Sequence, residues 1–160
     1  MSDDVTKPSL PLPSGYVDLP KVEFMEPGPE RDRLIEMILE GTKTATAALL
    51  IDYTECDEPL PHIGNRSILV DSDEHGVAVL ITTDVSVVRL ADITDSHALA
   101  EGEGDTSAVQ WRHTHEAYWN SAEYRSCFAD PTFPINDDTL VVLERFKVTE
   151  RLRKNAGKEA

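Results

Sequence analysis

The chain has 160 residues, 40% of them hydrophobic, with 30 acidic against 15 basic side chains and a formal net charge of −15. This length and apolar content fit one domain with a single core, and the negative field argues against wrapping duplex nucleic acid on a broad basic face. No apolar run reaches the roughly 18 to 20 residues of a membrane span.

Residues 1–23 are rich in Pro, Ser and Asp and read as a flexible N-terminal tail or extended arm. Their start, "MSDDVTKPSLPLPSG", has neither a basic beginning nor an apolar centre, so no secretory signal is expected. Cys56 and Cys127 fit no metal spacing and are far apart in sequence, which points to a reduced, cytoplasmic setting. The stretch "EPGPERDRLIEMILEG" predicts a helix: Pro29 suits the first turn, and Leu34, Ile35, Ile38 and Leu39 form one apolar stripe. Gly41 is placed to end it in the left-handed conformation.

"TATAALLIDY" predicts a strand entering the core, and "TECDEPLPHIGN", with Pro59, Pro61 and Gly64, a loop. "RSILVD" and "VAVLITTDVSVV" read as a hairpin rich in β-branched residues. Next come a short helix capped at Asp92 or Thr94 and a glycine-spaced acidic loop, "AEGEGD". "TSAVQWRHTHEAYWNSAEYRSCF" predicts a second substantial helix with Val109, Trp111, Tyr118, Trp119 and Ala122 at apolar positions. "TLVVLERFKV" is a last strand, and residues 151–160 form a flexible C-terminal tail. The order of elements argues for an α+β fold in which several strands curl into a small barrel.

One lysine stands out. Lys43 lies in "GTKTAT", a helix-to-strand turn whose neighbours are too short to cover it. Partly desolvated across the end of a barrel, it is a candidate base or an anchor for an anion. Thr46, three positions on, is then a nucleophile in outline. The plainer alternative is a lysine paired with an acidic surface neighbour. In "AEGEGD", Glu101 and Glu103 alternate with glycines that let the backbone approach another element closely. A carboxylate brought to Lys43 completes a nucleophile, cation and acid set suited to a hydrolase, while the alternative is a solvated acidic loop. A calcium loop lacks its twelve-residue pattern of oxygen ligands.

Trp111, His115, Tyr118 and Trp119 share one side of their helix, as core or as a platform for a base. His113 and His115 are two apart and cannot chelate zinc as an i, i+4 pair would. No metal and no cofactor is expected.

Together, "GTKTAT", "PLPHIGNRSILV", "AEGEGD", "WRHTHEAYW" and "ERFKV" resemble the ASCH domain family over roughly residues 24–149. The resemblance implies a domain at 24–150 with the PUA-like barrel fold and a cleft beside the barrel. It also implies three candidate activities: RNA binding, ribonuclease action, or removal of acyl groups from the exocyclic nitrogen of cytidine. The family's amidohydrolase residues fall on Lys43, Thr46 and Glu101, with Thr44, Glu103, Trp111, His115 and Tyr118 expected as substrate contacts. Many members carry a glutamate where Thr46 stands and an arginine at the position of Ala48. Without that arginine one phosphate contact is lost. A small nucleoside-like substrate of a hydrolase is therefore expected ahead of single-stranded RNA, and no membrane partner.

Overall fold

Two long strands organise the chain. The computed structural model describes residues 18–152. In it β4 (Gly76–Arg89) pairs antiparallel with β5 (Leu140–Arg151) along nearly its whole length. Register shifts at Val79/Leu80 and Thr82/Asp84 bend this ribbon, as an extra residue in one strand does. β3 (Arg66–Val70) joins β4 as the expected hairpin, and β2 (Ala45–Leu49) lies antiparallel on β5. β1 (Lys21–Val22) adds a parallel edge on β3, so the end of the N-terminal arm enters the sheet. Residues 1–17 and 153–160, most of the two expected tails, lie outside the described residues.

The strand order is β1-β3-β4-β5-β2. The α+β PUA-like architecture is as expected, but the sheet is curled rather than closed: among the described residues β1 and β2 remain its two edges. β1 has two residues, and β2 turns into a helix after five, so neither offers a long enough edge for a closing ladder.

α1 (Pro29–Glu40) begins at Pro29 and ends at Gly41, whose φ of 89° only glycine adopts readily. Its stripe, Leu34, Ile35, Ile38 and Leu39, is buried as the spacing predicts. The turn after it is tight: Thr42 and Lys43 both donate backbone N–H groups to the Met37 carbonyl. The run after β2 departs from the expected strand. Leu50–Glu55 forms a short helix, α2, because the Asp52 carboxylate accepts the Leu49 N–H at 3.2 Å and holds its first turn.

α3 (Asp95–Glu101) starts at Thr94, whose hydroxyl accepts the His97 N–H, and ends at Gly102. α4 (Ala108–Trp119) follows, capped by Ser107. The single long helix expected here is two, because Ser121 accepts the Tyr124 N–H and starts α5 (Ala122–Arg125). Val109 is 81% exposed, against its assignment to the apolar face.

The interior is divided in two. Ile35, Ile38, Leu39, Leu69, Val77, Ala78, Leu80 and Phe146 pack under α1. Leu49, Leu90, Ile93, Ala98, Trp111, Trp119 and Val141 pack where α3 and α4 cover the other end of the ribbon. No described helix is long and apolar enough to cross a membrane.

Candidate functional site

The turn after α1 and the end of α3 meet face to face. A Cβ on Gly102 would lie 2.1 Å from the Thr42 carbonyl oxygen and 3.2 Å from the Lys43 Cα, and Gly102 has φ of 69°. Only glycine permits this approach, which is what the glycine spacing of the acidic loop predicted. Backbone bonds seal the contact: the Thr44 N–H and hydroxyl both donate to the Ala100 carbonyl, at 2.9 and 3.1 Å. Thr44, expected as a substrate contact, thus ties β2 to α3.

Lys43 is buried in this junction, 2% exposed. Its ammonium donates to the Ala45 carbonyl at 2.9 Å, to the Glu101 carbonyl at 3.5 Å and to the Glu103 carboxylate at 2.5 Å. An ammonium has three protons, so all its donors are engaged. The side chain of Glu103 is about one-third exposed at 32%, so it links the buried cation to solvent.

Glu101 is also buried, 3% exposed, and faces two histidines. His97 Nε2 lies 2.6 Å from one carboxylate oxygen and His115 Nε2 lies 3.5 Å from the other. Burial alone would push this carboxyl up, but hydrogen bonds from His115 and His97 and the nearby charges of His115 and Lys43 hold it down at about 2. His115 is itself fixed. Its Nδ1 lies 2.9 Å from the Trp111 carbonyl, and its ring stacks on the Trp111 indole with centroids 3.8 Å apart.

A cavity of about 470 Å³ opens over these groups. Thr46, Ala47 and Ala48 of β2 form one wall, and Glu101, Glu103, His115, Tyr118 and Trp119 another. The segment Glu23–Met25 makes a third wall. Arg31, 3% exposed, holds that segment by donating to the carbonyls of Phe24 and Met25 at 3.0 and 2.6 Å. Five glutamates line the space: Glu23, Glu30, Glu101, Glu103 and Glu144. Tyr53 adds a neutral hydroxyl, which burial and the charges of Glu144, Asp52 and Glu58 push up to about 12.

Thr46, Glu101, Glu103, His115 and Tyr118 therefore share one cavity, with Lys43 beneath it on Glu103. No hydrogen bond joins Lys43 to Thr46 among the described residues. Trp111 does not border the cavity as expected: it is 1% exposed, a core residue that His115 covers. His97 and Arg31 went unread in the sequence. The His97–Glu101 pair had a signal, since i, i+4 residues meet on a helix. Arg31 had none, because its hydrogen bonds go to backbone carbonyls and its contact with the Glu23 carboxylate is long, at 3.9 Å. Among the described residues no group of three or more His, Cys, Asp or Glu side chains is placed to hold a metal.

A family model described as the ASCH domain matches residues 23–150. The chain belongs to the ASCH domain family. A crystal structure of an ASCH domain from Lactobacillus crispatus JV V101 is 25% identical, with a TM-score of 0.71, covering 94% of this chain and 87% of that one. A DUF984 family protein from Enterococcus faecalis V583 is 24% identical at the same TM-score of 0.71, over 88% of this chain and 83% of that one, and supports the fold. Among curated proteins no relative matches significantly. This ASCH domain thus shares its architecture with those structures, and its cavity lies between β2, the Glu23–Met25 segment, and the end of α3 with α4.

Proposed function

We propose that this ASCH domain binds a flat, uncharged or cationic nucleoside-like molecule in the cavity and hydrolyses an amide on its exocyclic nitrogen. The observation that carries this reading is the convergence of the Lys43–Glu103 ion pair, the Glu101 carboxylate and the Thr46 side chain on one cavity with aromatic walls. Five glutamates against one buried lysine repel phosphate, so RNA is a poor occupant. A nucleobase meets no such repulsion, and its amino and imino groups find acceptors on those carboxylates.

In this reaction the Thr46 hydroxyl attacks the acyl carbonyl, and its proton needs a base. Lys43 as an ammonium has no lone pair. The 2.5 Å contact with Glu103 supplies a route: transfer of one proton to that carboxylate leaves a neutral amine and a neutral acid, without separating charge. Rotation about the Cε–Nζ bond, which gives up the Ala45 or Glu101 carbonyl contact, turns the lone pair from Glu103 toward the cavity, and the amine then takes the Thr46 proton. Cys56 and Cys127, exposed and unbridged, suit the cytoplasmic setting proposed for the domain.

The fully engaged ammonium favours a second reading, in which the cavity binds the same molecules without turnover. Incubation with cytidine acylated on its exocyclic nitrogen decides between them. Release of cytidine by wild type, lost in Lys43→Ala and in Lys43→Arg, supports hydrolysis, since guanidinium does not give up a proton near neutral pH. Saturable binding with no release supports the binding module. Turnover of a neutral nucleoside varies little with salt, whereas RNA held through six or more phosphates loses about a thousandfold in affinity between roughly 50 and 200 mM.

A further inference from the structure

Cleaving an amide requires a proton for the departing nitrogen, because an amide anion is too poor a leaving group. Glu101 was the expected donor from the sequence. Held as a carboxylate down to about 2, it has no proton to give near neutral pH. The proton that Glu103 receives in the scheme above has to return to Lys43, so another acid must stand on the cavity wall.

Hydrogen-bond bookkeeping singles out His115. The Trp111 carbonyl can only accept, so His115 Nδ1 carries a hydrogen. Its other nitrogen faces Glu101, an acceptor, at 3.5 Å. A neutral ring with hydrogen on Nδ1 would turn a lone pair toward that carboxylate; a favourable contact requires a second hydrogen on Nε2. His97 differs. It meets Glu101 through Nε2 at 2.6 Å, and the neutral tautomer with one hydrogen there satisfies that bond. A carboxylate as buried as Glu101 also needs a compensating cation, and the Lys43 ammonium is directed to Glu103 and to backbone carbonyls. The site thus contains two balanced pairs, Lys43 with Glu103 and His115 with Glu101.

We propose that His115, as an imidazolium oriented by Trp111 and Glu101, is the catalytic acid that protonates the leaving nitrogen, a role that rests on the amide hydrolysis proposed above. His115 lines the cavity with 20% of its side chain exposed, while His97, 4% exposed, lies behind it. The long 3.5 Å contact leaves the Nε2 proton weakly held and transferable. As the tetrahedral intermediate collapses, the C–N bond breaks, its electron pair goes to nitrogen, and nitrogen takes the Nε2 proton. The acyl group stays as an ester on Thr46, and His115 becomes neutral with hydrogen still on Nδ1. Water then attacks the ester and gives its proton to Nε2. The Thr46 oxygen leaves as the bond breaks and regains a proton from the Lys43 ammonium, whose own proton returns from Glu103. Acid and base states are restored, and carboxylic acid and amine are released.

The test uses the full chain and two substrates with the same acyl group: the acylated cytidine and a p-nitrophenyl ester, whose leaving group departs without a proton. In single-turnover acylation, before the shared water step, His115→Asn is expected to release cytidine from the amide roughly a hundredfold or more slowly, and p-nitrophenolate from the ester less than about fivefold more slowly. His115→Gln, which keeps a longer chain over Trp111, gives the same reading should the shorter variant fail to fold. An equal loss on both substrates overturns the role of His115 while amide hydrolysis stands. A wild-type protein that releases no cytidine overturns both.

Discussion

At the end of the β4–β5 ribbon under α1, an all-apolar set led by Ile35, Ile38, Leu69, Val77 and Phe146 fills the interior. At the other end, Leu49, Leu90, Trp111, Trp119 and Val141 pack beside buried His97, which meets Trp111 edge to face at 5.7 Å and holds Glu101. Both sets are buried, but they differ in what breaking them does. Truncating a side chain in the first leaves a void with apolar walls. Removing a partner in the second leaves an uncompensated charge or donor as well. The first holds apolar side chains alone and the second also the buried His97–Glu101 pair, and α1 links them through the turn that delivers Lys43.

The largest effect should come from the apolar end. Ile35→Ala removes a side chain that is 1% exposed and is expected to cost about 4 kcal/mol, as transfer and cavity terms add. Per folded molecule, ligand binding in the cavity should stay within a factor of two of wild type. Chemical denaturation and a binding titration well below the melting range measure the two quantities. A large drop in binding with the fold intact would mean that the ends are coupled through α1.

Next in size is the charge at the other end, and its sign follows from linkage. The Glu101 carboxyl titrates near 4.5 in an unfolded chain and at about 2 when folded. Its contribution is therefore complete above about 4.5 and is lost as pH falls from there through about 2. A displacement of that size corresponds to roughly 3 kcal/mol. Unfolding free energy of wild type should fall by this order between those limits. Glu101→Gln should start lower at neutral pH and show a flatter acid limb. Parallel acid limbs for the two proteins would place the acid sensitivity in other carboxylates.

The same contrast governs what could be read from the sequence. The apolar end was legible because one rule decides it: Leu34, Ile35, Ile38 and Leu39 recur at helical spacing between a proline and a glycine, and the helix forms there. The hairpin was legible from its β-branched runs. At the other end several rules compete. Leu49, Leu50 and Ile51 suit a strand or a helix equally, and Asp52 decides by capping one. Ser121 splits the aromatic helix although the apolar pattern runs through it. Lys43 was found because its neighbours are too short to cover it, and the acidic loop because glycine spacing betrays a close backbone approach, which Gly102 makes. That Lys43 meets Glu103 and Glu101 meets histidines depends on side-chain directions at that junction, and spacing does not encode them.

The smallest effect probes how the polar end is kept in register. α3 has seven residues, too few to persist alone, and is pinned at both ends. At its C-terminus Gly102 lies against Thr42. At its start the Thr94 hydroxyl accepts the His97 N–H at 3.1 Å, and the Asp95 carboxylate accepts the Ala108 N–H at 2.6 Å. Thr94→Ala removes the cap and is expected to cost about 1 kcal/mol, or about 2–4 °C in melting temperature for a domain of this size. The Asp95 bond survives, so α3 should stay folded and only its first turn should loosen. That turn carries His97, one helical turn before Glu101. Faster amide exchange is therefore expected at His97, with the Ile35 end unchanged, and Thr94→Ser should restore wild-type exchange because its hydroxyl keeps the bond. If exchange quickened equally under α1, the division between the two ends would fail, and the interior would have to be treated as one cooperative unit.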